Sequence, residues 1–167
     1  MLNGKKIYLR RLSENDASPS YLSWFKQKEI NNYIKKSPRT IADLKSFIKA
    51  SNSQQGCHLF GIFDHSHFHI GNIKLDPISY MENTVALGIM IGESCYRGKG
   101  IAFEAMELAF RFVFDEHDIE TVILGVNKGN IRAVYLYEKF GFKSFFNPED
   151  KNPNSLTMKY TIPESNN

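Results

Sequence analysis

"NTVALGIMIGESCYRGKGIAFEAMELAF", Asn83–Phe110, reads as three consecutive pieces. Asn83–Gly92 is a long strand candidate, and Arg97–Gly100 is a turn with two glycines and two basic side chains. Beyond it, Ala102, Ala105, Met106, Ala109, Phe112 and Val113 recur at helical spacing as far as His117, opposite Glu104, Glu107, Arg111 and Asp115. A strand that feeds a glycine turn and then a helix leaves backbone N–H groups pointing outward at the helix start, where the dipole also favours negative charge. That arrangement is a phosphate cradle. Gly98 and Gly100 permit close approach and unusual backbone angles, while Arg97 and Lys99 bring positive charge. The stretch is neither the Walker sequence nor the Gly-x-Gly-x-x-Gly dinucleotide fingerprint, so the pyrophosphate of another cofactor is the remaining reading.

Upstream, "KKIYLRRL" (Lys5–Leu12) alternates and ends before the turn-like "SENDASPS", as a first strand would. One helix is expected from Ser20 into Tyr33, and a second from Thr40, with Asp43 completing a capping-box variant. Cys57–Asp64 and Phe68–Leu75 flank a short "HSH" turn as an antiparallel hairpin, which Pro77 is expected to end. Downstream, Thr121–Val126 is a short apolar run typical of a strand buried on both faces. "NKGNIRAVYLYEKFGF" then offers Asn130 as N-cap, a helix through Lys139 and Gly141 as its stop, before two closing strands in "FKSFF" and "SLTMKYTI".

The chain has 167 residues, of which 42% are hydrophobic and 23% charged, enough for one sizeable core. A single domain over residues 1–167 is expected, with residues 163–167 as a frayed tail. No apolar run is long enough for a membrane span and the start lacks the pattern of a secretion signal, so a cytoplasmic protein is expected. Cys57 and Cys95 read as reduced thiols, and a net charge of +3 is too small an excess to point to nucleic acid. His65 and His67 sit in a turn with no cysteine or carboxylate at matching spacing, so no metal is expected.

Arg97-Gly98-Lys99-Gly100-Ile101-Ala102 resembles the Arg/Gln-x-x-Gly-x-Gly/Ala motif of the GNAT superfamily of N-acetyltransferases, where the turn binds the pyrophosphate of acetyl-coenzyme A. "NKGNIRAVYLYEKFGF" is similar to a second family segment, and "IYLRRL", "YLSWF" and "IGNIKL" resemble the ribosomal-protein N-terminal acetyltransferase-like subgroup. The resemblance runs roughly from Lys5 to Tyr160. It implies an α/β domain with a mixed, mostly antiparallel twisted sheet of about seven strands flanked by helices. It also implies an enzyme in which an acceptor amine attacks the acetyl thioester directly, with no covalent enzyme intermediate. The acceptor is a protein N-terminus or a small amine such as an amino sugar or polyamine, with a non-catalytic coenzyme A-binding module as the alternative. A monomer or homodimer is expected.

Carried over by position, the resemblance assigns Ile89, Met90, Ile91 and Gly92 to the cofactor arm and the acetyl carbonyl. It assigns Arg97, Gly98, Lys99, Gly100, Ile101 and Ala102 to the pyrophosphate, Asn130 to the cofactor arm, and Tyr137 to the sulfur as proton donor. The base is where this chain departs from its relatives, because Ala86 and Gly125 stand where carboxylates are common. Glu93 is the closest remaining carboxylate, followed by His58 and the hairpin histidines; deprotonation through water needs none of them. Plainer readings stand beside these: Tyr137 as core packing, Asn130 as a cap only, Glu93 as a solvated strand-end charge, and Cys95 as incidental. Trp24 with Tyr21, Phe25 and Tyr33 reads as an aromatic cluster, in a region the family uses to shape its acceptor groove.

Overall fold

The computed structural model describes residues 1–31, 37–148 and 152–161, leaving aside the side chains of Glu29 and Asn31. The strands are β1 (Leu2–Asn3), β2 (Ile7–Arg11), β3 (His58–Asp64), β4 (His69–Ser79), β5 (Thr84–Ile91), β6 (Thr121–Asn127), β7 (Lys143–Ser144) and β8 (Ser155–Thr161). They form one sheet in the order β1-β2-β3-β4-β5-β6-β8-β7. Its pairs are antiparallel except β5 with β6, which is parallel. About seven strands were expected, and eight are found among the described residues. The two-residue β1 is too short to leave a periodic signal.

Helices cover both faces of the sheet: α1 (Pro19–Trp24), α2 (Lys28–Asn31), α3 (Ile41–Ser53), α4 (Ile101–His117) and α5 (Ile131–Phe140). Alternation along β2 divides the core: Ile7 and Leu9 join the cluster that includes α4, while Tyr8 joins the one that includes Tyr21, Trp24, Leu44 and Ile48. On α4 the expected apolar stripe is buried at Ala105, Met106, Ala109 and Val113, none more than 0% exposed. Each large side chain buried in this way contributes about 1.5–3 kcal/mol. Thr40 caps α3 as expected, its side chain accepting from the Asp43 N–H at 3.0 Å while Asp43 accepts from the Thr40 N–H at 2.9 Å.

Two local expectations are corrected. The single helix from Ser20 is two short ones, α1 and α2, and Tyr33 lies outside the described residues. The break arises because Lys26 and Gln27 donate to Ser23 and Trp24, three residues back, and the Gln27 side chain donates to the Gly92 carbonyl at 3.0 Å. Nor does Pro77 end the hairpin, since β4 runs through it to Ser79. The ladder slips between Leu75 and Ile78, which places Pro77 where no N–H is demanded of it. The expected tail at residues 163–167 lies outside the described residues.

The feature that positions the site is the end of the parallel pair. β5 and β6 pair only at Thr84↔Thr121, Val85↔Val122 and Ala86↔Ile123. Beyond Ala86, β5 stays with β4 while β6 stays with β8, so the two strands separate. A Cβ built on Gly88 would meet nothing within 4 Å, and one on Gly125 would meet only the Ser155 hydroxyl at 4.0 Å. The space between the strands is open.

Candidate active site

An open cleft of about 2500 Å³ occupies that space and continues to the start of α4. One limb, the cradle limb, is lined by Ile89, Met90, Ile91, Arg97, Gly98, Gly100, Ile101, Ala102, Asn130 and Tyr137. The other, the α1 limb, is lined by Tyr21, Phe25, Leu59, Asn72 and Lys74. Of the residues assigned from the sequence, Gly92, Lys99 and Glu93 stand behind this lining.

At the cradle, Gly98 (φ 75°) and Gly100 (φ 80°) are both left-handed, conformations that a side chain disfavours. Gly100 occupies the N-cap of α4 without any side-chain cap, and the first helical bond runs from the Glu104 N–H to the Gly100 carbonyl. The N–H groups of the first turn are therefore presented outward. No atom lies within 4 Å of a Cβ placed on Gly98. Room, donors and dipole together fit a pyrophosphate.

The two basic side chains of the motif do not share one task. Arg97 turns back: Nε donates to the Ile91 carbonyl at 2.9 Å, and Nη2 donates to the Gly92 carbonyl at 3.1 Å and to Gln27 Oε1. It ties the turn to the end of β5. The Lys99 ammonium lies 5.8 Å over the Tyr96 ring. Positive charge reaches the cradle from elsewhere too, because Lys6 Nζ donates to the Lys99 carbonyl at 2.9 Å across 93 residues. Tyr96 donates to Asp64 at 2.5 Å, a bond that raises the phenol to about 12 and anchors the turn to the β3–β4 hairpin.

Tyr137 is 9% exposed, and burial pushes its phenol up to about 12. It keeps its proton throughout the neutral range. Asn130 caps α5, its side-chain oxygen accepting from the Ala133 N–H at 3.3 Å, and it also lines the cleft. Around the end of β5, Gly92 donates to the Ile70 carbonyl while its own carbonyl accepts from Arg97 and Gln27. Glu93 Oε1 accepts from the Trp24 indole N–H at 2.9 Å and from the Ser20 hydroxyl at 3.0 Å. This carboxylate holds α1 against the end of β5.

His58 sits on the α4 face beside Phe60, Phe112 and His117, away from the cleft lining. Burial first, then the neighbouring Arg11, push it down to about 4. The hairpin histidines are engaged locally: His65 donates to the Lys5 carbonyl at 3.1 Å, and His67 meets the Tyr8 hydroxyl at 2.9 Å. Among the described residues no group of three His, Cys, Asp or Glu side chains is placed to hold a metal. Cys57 is buried, Cys95 exposed, and both are free thiols.

A family model described as an acetyltransferase (GNAT) domain matches residues 6–143. The chain belongs to the GNAT acetyltransferases. Members of this family use acetyl-coenzyme A. The spermidine N(1)-acetyltransferase of Escherichia coli (strain K12) is 32% identical over 72 residues, which is 43% of this chain and 38% of that protein. The chain thus matches well under half the length of this curated relative. A chimera of the Vibrio cholerae spermidine N-acetyltransferase superposes with a TM-score of 0.77 at 22% identity, over 94% of this chain and 96% of the other. A Vibrio cholerae protein provisionally assigned as a ribosomal-protein-serine acetyltransferase gives 0.77 at 14% identity, over 96% and 97%. At such identities these neighbours speak for the GNAT fold. No helix among the described residues is long and apolar enough to cross a membrane.

Two parts of the site carried no local signal in the sequence. Lys6 and Gln27 act from segments far from the turn they support.

Proposed function

We propose that this GNAT chain binds acetyl-coenzyme A in the cradle limb and acetylates a primary amine entering along the α1 limb, with a protein N-terminal α-amine as the first candidate acceptor. The observation that carries this reading is that the gap between β5 and β6 opens directly onto the uncapped start of α4. Acetyl-coenzyme A, when bound, supplies an activated thioester carbonyl. Gly98, Gly100 and the first N–H groups of α4 hold its pyrophosphate, with Lys6 and Lys99 adding charge. The unpaired side of β5 beyond Ala86 orients the cofactor arm, and Asn130 borders the same path. Tyr137, protonated and buried, donates its hydrogen at the sulfur.

The amine must arrive neutral. Ala86 and Gly125 supply no carboxylate at the divergence of the strands, and Glu93 is committed to Trp24 and Ser20. An α-amino group with a pKa near 8 is partly neutral at pH 7, whereas an alkylamine near 10 is almost wholly charged. The chemistry therefore favours an N-terminal or amino-sugar amine. A polyamine is the second reading, favoured by the similarity to spermidine acetyltransferases. Coenzyme A thiol release with peptides, amino sugars and spermidine decides between them. A kcat/KM for spermidine well above that for the others overturns the first reading, and no thiol release with any amine overturns acetyl transfer.

A further inference from the structure

We propose that Lys6 is a positioning residue for the cofactor: its ammonium holds the Lys99–Gly100 peptide in the orientation that aims the Gly100 N–H at the pyrophosphate. This rests on the reading of the cradle limb as the coenzyme A site and adds a residue, remote in sequence, that shapes it.

Gly100 has φ 80° and ψ 4°, close to the values of about +80° and 0° that mark the third residue of a type II turn. In a type I turn φ at that position is about −90°, so the two turns differ by a flip of the peptide that precedes it. Glycine tolerates both states, and a contact from outside the turn can decide between them.

That contact is Lys6, whose Nζ donates to the Lys99 carbonyl at 2.9 Å. Among the described residues the only cis peptide bond is Asp76–Pro77, so Lys99–Gly100 is trans. The carbonyl and the N–H of a trans peptide lie in one plane and point in opposite directions. Holding the Lys99 oxygen toward Lys6 therefore sends the Gly100 N–H the other way. That way leads to the cleft, because Gly100 lines it and Lys6 does not. Among the described residues the Gly100 N–H reaches no protein acceptor, which leaves the donor for a ligand.

Lys6 is itself held in place. Its N–H donates to Oε1 of Glu104, in the first turn of α4, at 2.9 Å. The Gly4 N–H donates to the Ile7 carbonyl at 2.8 Å and closes the turn between β1 and β2. The Glu104 carboxylate fills the space where a side chain on Gly4 would stand. The turn thus grips the start of α4 through backbone, and the residue before the N-cap through the Lys6 side chain.

The test is calorimetry of coenzyme A and of 3′-dephospho-coenzyme A with wild type, Lys6→Met and Lys6→Arg, at low salt and in about 1 M KCl, where the Debye length is about 3 Å. Lys6 is exposed, so Lys6→Met should fold with an unchanged urea midpoint. Affinity is expected to fall about tenfold in Lys6→Met, by the same factor for both ligands and at both salt concentrations. Lys6→Arg still presents donors and should stay within about threefold of wild type. In turnover, the change should appear in KM for acetyl-coenzyme A and not in KM for the acceptor. Wild-type affinity in Lys6→Met overturns the proposal. So does a loss that disappears in high salt, which makes Lys6 a through-space charge, or one confined to coenzyme A, which makes it a contact of the 3′-phosphate. A loss that Lys6→Arg shares in full assigns Lys6 to packing of the turn and overturns the proposal as well. Binding is read without turnover, so an inactive wild type that binds coenzyme A overturns acetyl transfer alone. A wild type that binds none overturns both.

Discussion

Backbone carries the cradle limb: two left-handed glycines, the free N–H groups of α4 and the side of β5 that loses its partner after Ala86. Side chains carry the α1 limb: Tyr21 from α1, Asn72 and Lys74 from β4 and Leu59 from β3, with Glu93 holding α1 in place through Trp24. A backbone site needs the right local conformation and little else, so a handful of contiguous residues specifies it. A side-chain site depends on which residues from distant segments converge. One fold can thus keep its cofactor chemistry while the acceptor changes.

The largest effect is expected at Gly100, where that contrast is easiest to break. Gly100→Asp adds a side chain at φ 80°, 3.7 Å from Lys6 Nζ at its Cβ, and a negative charge where a pyrophosphate approaches. Coenzyme A affinity should fall by at least about a hundredfold, for a backbone cost of about 1–3 kcal/mol that leaves the protein folded. Calorimetry that finds unchanged affinity in the folded variant removes the cradle from the reading.

Tyr137→Phe sharpens the comparison, because Tyr137 is a side chain acting within the backbone limb. Deleting the hydroxyl should leave coenzyme A affinity within about twofold and lower turnover by roughly ten- to a thousandfold. Wild-type turnover in this variant assigns Tyr137 to packing against Phe142, its ring neighbour at 5.6 Å.

Two glycines at the edge of the cleft separate packing from open space. A Cβ on Gly92 would lie 1.9 Å from Trp24 Cδ2, and Trp24 is 1% exposed. Gly92→Ala should cost about 1–3 kcal/mol and lower the urea midpoint. Gly125→Ala faces the opening and should stay within about 0.5 kcal/mol of wild type. Equal midpoints for the two variants show that Trp24 is not wedged against the end of β5.

What was legible in the sequence follows the same division. The strand–turn–helix of β5 and α4, the Asn130 cap and the Thr40 box are each written within a few consecutive residues, and the structure forms them. The break between α1 and α2 was not legible, because it depends on Gln27 reaching Gly92 across 65 residues. Arg97 shows the limit of motif reading most directly. Its charge lies in the expected turn, but its donors are aimed at Ile91, Gly92 and Gln27, which only folding brings beside it.

The smallest effect is expected at Glu93, and it decides how the acceptor loses its proton. Glu93→Gln keeps an oxygen for the Trp24 indole and the Ser20 hydroxyl while removing the charge, so α1 should stay in place. If the amine arrives neutral by its own pKa, turnover should fall by less than in Tyr137→Phe, by about threefold or less. The rate should then rise with pH toward the acceptor's pKa, near 8 for an α-amine. Tyr137, pushed up to about 12, should impose no alkaline loss over that range. His58, held down at about 4 and set on the α4 face, should impose no acidic limb near 6. A limb near 6 that disappears when one histidine is replaced would identify that histidine as the base. A Glu93→Gln loss as large as that of Tyr137→Phe would instead give the role to Glu93, and the α1 limb would then hold catalysis as well as selection.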